Sequence, residues 1–143
     1  MRQRIIAALS MLSVVFGVVV LAASPAAAAE VNYAVDADWP GDGDYKDCYS
    51  SYVNPPAQVN ACFEPDGDTF WVNDTSANGY GVGVKWTDTE NGRSGYCYHN
   101  LGYAAAWGIC PKDFQEDNQI GWTLIWDGPS GWQEARLWIT TPA

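Results

Sequence analysis

Basic residues and histidine are scarce in this chain. It has only 7 Lys and Arg against 17 Asp and Glu, a single His, and a formal net charge of −10. Two of the basic residues, Arg2 and Arg4, precede residue 30, so residues 30–143 carry −12. Nucleic acids and anionic membranes are bound through basic surfaces, so this composition argues against either as a partner. The acidity itself is typical of a protein that stays soluble after export.

Motifs of zinc binding and of nucleophilic catalysis are also missing. No C-x-x-C occurs, and the only histidine, His99, stands near a single cysteine, Cys97, which argues against zinc. A catalytic triad needs an imidazole beside a nucleophile, yet there is no G-x-S-x-G motif and Cys97 is predicted to be oxidised. With so many acids, a glycosidase-like carboxylate pair cannot be recognised. We therefore predict a protein that is not an enzyme, uses no cofactor and keeps His99 as a structural residue.

The first 29 residues have the three-part organisation of a secretory signal peptide. Two arginines form a basic start, Ile5–Ala23 is apolar and uncharged, and small residues follow, as signal peptidase requires. An uncleaved membrane anchor is the alternative, because the apolar stretch is nearly long enough to span a bilayer. We predict cleavage before Glu30, with Val31 the next candidate, and secretion of one domain, residues 30–143, that is not membrane-associated.

All four cysteines lie in this predicted mature domain. An even number in an exported chain of this size indicates two disulfides, although four cysteines allow three pairings. We favour Cys48 with Cys62 and Cys97 with Cys110, because each pair brackets a short polar or glycine-containing segment that can fold back on itself. A crosslink of that loop length should contribute about 3 kcal/mol to stability.

From Thr69 onward apolar residues alternate with polar residues or glycine, which is the pattern of strands with one buried face. Three runs have this alternation, with these residues on one side: Tyr80, Val82, Val84, Trp86; Ile120, Trp122, Leu124, Trp126; and Ala135, Leu137, Ile139. Turns are predicted at Asn78-Gly79, Asn91-Gly92 and 127–131, each between antiparallel segments. Six or seven such strands without an amphipathic helix predict an all-β fold, a small antiparallel β-sandwich; a small closed β-barrel is the alternative.

Acidic residues are crowded before Cys48. We predict an edge strand at Val31–Val35 and an exposed loop after it. The loop contains four candidate calcium ligands: Asp36, Asp38, Asp42 and Asp44. The spacing departs from an EF-hand loop, because Pro40 takes the fifth position, where an oxygen ligand belongs, and no helix flanks it. We interpret the loop as solvated rather than as a metal site, and leave open whether these aspartates bind a cation.

Aromatic residues are abundant, with 8 Trp and 8 Tyr in the chain. Trp86, Trp122 and Trp126 fall on predicted inward positions and fill a core. Four other tryptophans are less easily explained as core residues: Trp39, Trp71, Trp132 and Trp138. Exposed rings on a sandwich can stack on sugars or dock into another protein. We select Trp132 and Trp138 as the predicted binding residues.

One order of residues runs through nearly the whole domain: Cys62, Gly67-Asp68, Asp74, Val82–Trp86, Arg93, Gly95, Cys97, Gly102, Cys110 and Asp113-Phe114. It resembles that of a group of small exported actinomycete proteins, usually described only as secreted. The resemblance supports the pairing of neighbouring cysteines and a β fold, and it implies no activity.

Together these observations predict a secreted, non-catalytic β-sandwich that recognises an extracellular protein or glycan through its surface. One more specific alternative is a carbohydrate-binding module acting through Trp132 and Trp138. Another is a proteinaceous hydrolase inhibitor that presents a rigid loop, either the Cys48–Cys62 segment or the turn around Pro129.

Overall fold

The computed structural model describes residues 28–41, 43–52 and 58–143, without the side chains of Tyr52 and Gln58. Eleven strands in this part of the chain form two sheets that pack face to face, and the sheets do not close into a barrel. The predicted all-β sandwich is confirmed. The strand number exceeds the predicted six or seven because several strands have only two to four residues, too few for an alternation. No helix in the described residues could cross a membrane.

The strands follow one another in this order: β1 (Glu30–Tyr33), β2 (Val35–Ala37), β3 (Asp47–Tyr52), β4 (Gln58–Glu64), β5 (Thr69–Asp74), β6 (Val82–Asp88), β7 (Ser94–His99), β8 (Trp107–Pro111), β9 (Gln119–Trp126), β10 (Gln133–Glu134) and β11 (Ile139–Pro142). The six-stranded sheet has the order β1-β7-β6-β9-β10, and β11 also pairs with β9. The five-stranded sheet has the order β2-β8-β5-β4-β3. All of these pairs are antiparallel except β1 with β7, which is parallel.

The first strands form one edge of each sheet. β1 lies along β7 and β2 along β8, with the buried Ala34 between them. The predicted edge strand at Val31–Val35 is therefore divided between the two sheets. Its start is anchored by Glu30, whose carboxylate lies 2.9 Å from Arg93 Nη2 and 3.2 Å from Lys112 Nζ.

The core lies between the sheets and follows the predicted alternation in β6 and β9. Four strands contribute its most buried side chains: Val82, Val84, Trp86, Ile120, Trp122 and Leu124 from the six-stranded sheet, and Val59, Ala61, Phe63, Phe70 and Val72 from the other. At its centre the centroid of the Phe70 ring lies 4.8 Å from the centroid of the Phe63 ring and 6.2 Å from that of the Trp122 ring. Burying these apolar side chains is the main force that holds the sheets together.

Both predicted disulfides are present. Cys48–Cys62 joins directly opposite residues of the β3–β4 hairpin, with 4.0 Å between the Cα atoms. Cys97–Cys110 joins β7 to β8, and thus one sheet to the other, with 6.0 Å between the Cα atoms. The first crosslink lies within one sheet, and the second passes through the core.

Two of the three predicted turns join antiparallel neighbours. Asn91-Gly92 lies in the β6–β7 hairpin, and residues 127–131 connect β9 to β10. The prediction at Asn78-Gly79 is wrong, because β5 and β6, on either side of it, belong to different sheets. Gly79 has the positive φ of 78° that favours a turn, but this turn is part of a crossing between sheets.

The predicted inward alternation of Ala135, Leu137 and Ile139 is wrong at Leu137, while Ala135 is buried and Ile139 packs against the core. Strand pairing stops between β10 and β11, so the chain there is not one regular strand. Ala135 is buried, whereas Leu137 is 50% exposed. The irregular segment has a different role, described below.

Candidate functional site

Both tryptophans selected from the sequence lie exposed beside the outer side of the six-stranded sheet. Trp132 is 46% exposed and Trp138 is 41% exposed. Three tyrosines share this side with them. We call the five rings together the outer aromatic face: Tyr33, Tyr96, Tyr98, Trp132 and Trp138.

The tyrosines reach this face through strand alternation and strand pairing. Tyr96 and Tyr98 are partly exposed, while Cys97 and His99, the residues between and after them, are buried. The parallel register sets Tyr33 of β1 directly opposite Tyr98. Sequence reasoning did not select these tyrosines. The alternation around Cys97 was a usable signal for two of them, but nothing in the sequence reported the register of β1.

Four of the rings, all except that of Trp138, contact one another in a continuous series. Tyr96 and Tyr98 are stacked within 5° of parallel, with centroids 5.5 Å apart. The Tyr98 ring also lies 5.9 Å from that of Tyr33 and 4.6 Å from that of Trp132. These separations are within the range at which aromatic pairs stabilise one another, so each ring restrains its neighbour.

Each tryptophan packs over a glycine. A Cβ atom on Gly81 would lie 3.3 Å from the ring of Trp132, and one on Gly121 would lie 3.6 Å from the ring of Trp138. At Gly81 this distance is tighter than an ordinary contact, so a side chain there would displace the Trp132 indole, whereas a Cβ atom at Gly121 would be in ordinary van der Waals contact. Gly81 therefore allows the Trp132 indole to lie close to the outer side of the sheet.

The irregular segment between β10 and β11 carries Trp138 and is tied down by hydrogen bonds. The Ala135 amide donates to the Leu124 carbonyl at 2.9 Å. The buried Thr123 hydroxyl lies 2.7 Å from the Leu137 carbonyl oxygen and 3.3 Å from that of Ala135. The break in strand pairing between β10 and β11 thus places Trp138 beside the sheet.

An ion pair crosses the middle of the outer aromatic face. Lys85 Nζ lies 2.7 Å from Glu134 Oε2 and 5.6 Å from the centroid of the Trp138 ring. The hydrogen bond to Glu134 raises the pKa of Lys85, so its ammonium group stays charged. Beside it is a shallow depression of about 240 Å³ lined by Lys85, Tyr96, Tyr98, Ile125, Trp132, Gln133 and Glu134.

Tyr98 lies between the other rings. Burial, together with the nearby Tyr96 and Tyr33, raises its pKa above the ordinary value of a tyrosine. Its hydroxyl therefore keeps its proton at neutral pH and can both donate and accept a hydrogen bond. The face combines apolar ring surfaces with a phenol, an ammonium group and a carboxylate.

A second concavity lies at the end of the sandwich. It measures about 290 Å³ and its wall includes Asp74, Tyr80, Gly81, His99, Asn100 and Tyr103. His99 is only 1% exposed, and neither of its ring nitrogens has a hydrogen-bond partner among the described residues. Asp74 and His99 are thus near one another without the imidazole hydrogen bond that a catalytic triad requires.

Burial lowers the pKa of His99 below its ordinary 6.5, against the opposing charge of Asp74. The folded protein therefore holds a neutral imidazole while the unfolded chain takes up a proton below pH 6.5, so stability falls as the pH decreases from 6.5 toward the lowered folded-state pKa. The slope for one such group is at most about 1.4 kcal/mol per pH unit. We expect His99→Gln to flatten this part of the profile, as measured by urea unfolding at successive pH values. A slope unchanged in the variant would contradict this role of His99.

Trp39 and Trp71 belong to a different surface, outside the five-stranded sheet. Trp39 stacks on Trp107 with centroids 4.3 Å apart, and its ring meets that of Trp71 edge-on at 5.4 Å. Lys46 Nζ lies 5.4 Å from the Trp39 ring and 3.4 Å from the carboxylate of Glu64. These rings are engaged in packing around a buried lysine, which explains why Trp71 is 7% exposed although it faces outward.

The acidic segment does not gather into a cluster in the described residues. Asp36, Asp38 and Asp44 are exposed, and Asp42 lies outside the described residues. No group of three or more His, Cys, Asp or Glu side chains suited to a metal ion is found within 28–41, 43–52 and 58–143.

Of the two loops predicted to act in inhibition, the turn around Pro129 lies within the described residues. Pro129 is exposed in the β9–β10 turn, where Gly131 donates its amide to the carbonyl of Gly128 at 2.8 Å. The tip of the Cys48–Cys62 hairpin, residues 53–57, lies outside the described residues, as do residues 1–27 of the predicted signal peptide. The inhibitor and signal-peptide interpretations stay predictions.

The two disulfides are compatible with an extracellular protein. The resemblance to small exported actinomycete proteins stays a prediction. No protein-family model, no curated protein and no solved structure matches the chain.

Proposed function

We propose that this protein is a secreted, non-catalytic glycan-binding domain that holds a neutral sugar chain against its outer aromatic face. The single observation that carries the proposal is the contiguous row of rings from the exposed Tyr33 through the partly exposed Tyr98 to the exposed Trp132. Exposed aromatic surface of this extent costs free energy unless a partner covers it. The ion pair of Lys85 and Glu134 beside the rings favours a partner that has polar groups as well as an apolar surface.

Sugar rings suit this surface for chemical reasons. A pyranose has an apolar face of C–H groups that packs on an aromatic ring, and hydroxyls around its edge that need hydrogen bonds. The Tyr98 phenol and the Lys85–Glu134 pair lie beside the rings and can bind such hydroxyls. The spacing of 4.6 to 5.9 Å between ring centroids is comparable with the length of one sugar residue in an extended chain.

Charge favours neutral glycans over acidic ones. Residues 30–143 carry −12, and the positive charge of Lys85 on the face is compensated by Glu134. An anionic chain would therefore approach a surface of its own sign, which lowers the association rate and affinity.

A binding role is also favoured over catalysis. On the outer aromatic face the carboxylate of Glu134 is engaged by Lys85, and there is no second carboxylate among the residues lining the adjoining depression. Glycoside hydrolysis uses two carboxyl groups flanking the bond. The face offers rigid rings rather than a general acid and base.

Trp132→Ala is expected to weaken glycan binding by about tenfold or more, because truncating a central aromatic contact commonly costs at least 1.4 kcal/mol. The measurement is tryptophan fluorescence and calorimetric titration with hexasaccharides of β-1,4-linked glucose, N-acetylglucosamine, xylose and mannose, with polygalacturonate as the anionic comparison. Tyr45→Ala is the matched control, since Tyr45 is 71% exposed but lies outside the face.

Two results would count against the proposal. One is that no neutral glycan binds at millimolar concentration. The other is that Tyr45→Ala and Trp132→Ala weaken binding equally. Thermal unfolding of each variant separates loss of binding from loss of fold, because both side chains are exposed and their truncation should change stability little.

A further inference from the structure

The cavity at the end of the sandwich adjoins the outer aromatic face. We propose that it binds the terminal sugar residue of the glycan whose preceding residues stack on that face, so that the protein recognises chain ends. This inference rests on the proposed function and adds that the protein binds the end of the glycan chain. The cavity lies where β5 and β7 end and β6 begins, and its wall includes Asp74, Gly81, His99, Asn100 and Tyr103.

Gly81 forms the boundary between the two surfaces. It lines the cavity, and a Cβ atom on it would lie 3.2 Å from Asn100 Oδ1 and 3.3 Å from the Trp132 ring. Gly81 is therefore the single residue that separates the rim of the cavity from the Trp132 ring at the end of the face. A chain that stacks on Trp132 can place its next residue in the cavity.

The size and chemistry of the cavity suit one sugar ring. Its volume of about 290 Å³ falls just below the roughly 300–1,000 Å³ of pockets that hold drug-sized ligands. The phenols of Tyr80 and Tyr103, the Asn100 amide and the Asp74 carboxylate provide both donors and acceptors for hydroxyl groups. The carboxylate also disfavours an acidic sugar, in agreement with the charge of the whole domain.

His99 supplies an independent observation. Its imidazole is buried in the wall of the cavity, and both ring nitrogens lack a partner among the described residues. More than nine in ten buried polar groups are hydrogen-bonded in native proteins, to protein or to ordered water. Both nitrogens are enclosed by the wall, so an occupant of the cavity gives them a partner, directly or through a bound water, only with a small shift of the wall, and this contact adds affinity.

The position of the cavity selects the end of a chain rather than its middle. The face lies along the side of the sheet, whereas the cavity lies beyond the ends of β5 and β7. A stiff extended chain that continued past the cavity would have to bend around the end of the sandwich. A terminal residue has no such requirement.

His99 is the only histidine in the chain, so its imidazole signals in NMR report on the cavity alone. We would titrate the protein with the hexasaccharide that binds best in the panel above, recording these signals beside tryptophan fluorescence. A shift of the imidazole signals that saturates together with the fluorescence change supports the inference. A fluorescence change without any shift overturns the inference and leaves the proposed function intact. No change in either overturns both.

Variants at the rim give a second test. Tyr103 is 58% exposed and Asn100 is also exposed, so Tyr103→Ala and Asn100→Ala should fold normally. Each is expected to weaken binding of the hexasaccharide by about three- to tenfold, while Tyr45→Ala leaves it unchanged. Unchanged affinity in both rim variants, with binding still lost in Trp132→Ala, overturns the cavity as a subsite and retains the face.

Discussion

Replacement of Cys97 and Cys110 by alanine is expected to lower the free energy of unfolding by about 4 kcal/mol. Closing a loop of 13 residues in the unfolded chain accounts for about 3 kcal/mol. The remainder arises because Cys97 and Cys110 are 0% and 2% exposed, so alanines leave voids between the sheets. For a small domain this is a large fraction of the total stability.

The matched control is the removal of the other disulfide. Cys48–Cys62 closes a loop of nearly the same length, with a sequence separation of 14, but Cys48 is exposed and both residues belong to one hairpin. We expect the Cys48→Ala, Cys62→Ala double variant to lose about 3 kcal/mol or less. Denaturant unfolding of both variants measures the difference. Equal losses would show that the link between sheets adds nothing beyond loop closure.

Asp88→Ala is expected to destabilise the protein by about 3 kcal/mol, because it removes a buried carboxylate that accepts several hydrogen bonds, including those of the buried Asn118 amide. Asp88 is 0% exposed at the end of β6. Its oxygens accept hydrogen bonds from the Asn118 side chain at 2.9 and 3.1 Å, the Asn91 side chain at 2.7 Å and the Glu90 amide at 3.1 Å. Without it, the β6–β7 turn and the segment before β9 lose their common anchor.

The pH dependence of this effect is specific. Burial by itself raises the pKa of Asp88, but the hydrogen bonds from Asn118, Glu90 and Asn91 outweigh it, so the pKa lies below its ordinary 3.8. The stability that Asp88 contributes is thus fully present above pH 3.8 and is lost as the pH falls through the folded-state pKa. Unfolding experiments between pH 2 and 7 should show a smaller acid-dependent loss in Asp88→Ala.

The isosteric change Asp88→Asn provides the control for volume. It keeps the shape of the side chain but replaces one acceptor oxygen by a donor, which then faces the amide of Asn118. We expect it to be nearly as destabilising as Asp88→Ala. A nearly neutral Asp88→Asn would mean that side-chain volume, rather than the carboxylate, stabilises this corner of the sandwich.

Local chemistry was sufficient to predict much of the framework. Alternation in β6 and β9 correctly assigned Trp86, Trp122 and Trp126 to buried positions, because the period of a strand is independent of its neighbours. Cysteine spacing predicted both disulfides, since each pair lies in segments that fold back on themselves. The same reasoning selected Trp132 and Trp138, whose positions do not follow the core alternation.

Prediction from local sequence failed where the structure depended on which strands become neighbours in a sheet. Asn78-Gly79 has the same sequence signal as Asn91-Gly92, yet one turn crosses between sheets and the other closes a hairpin. The signal specifies a local backbone conformation, which both turns share. Whether the chain after the turn pairs with the strand before it depends on packing between the sheets.

The amino-acid sequence by itself determined the all-β sandwich, the two crosslinks and the excess of aromatic residues, because these follow from periodicity, spacing and composition. Only the tertiary structure decided that Tyr33, Tyr98 and Trp132 form one row, and that Trp39 and Trp71 pack around Lys46 instead. The physical reason is that a binding face on a sheet is assembled across strands far apart in the chain. Its composition is therefore set by strand register and by a glycine that lets an indole approach, and neither is encoded within a single strand.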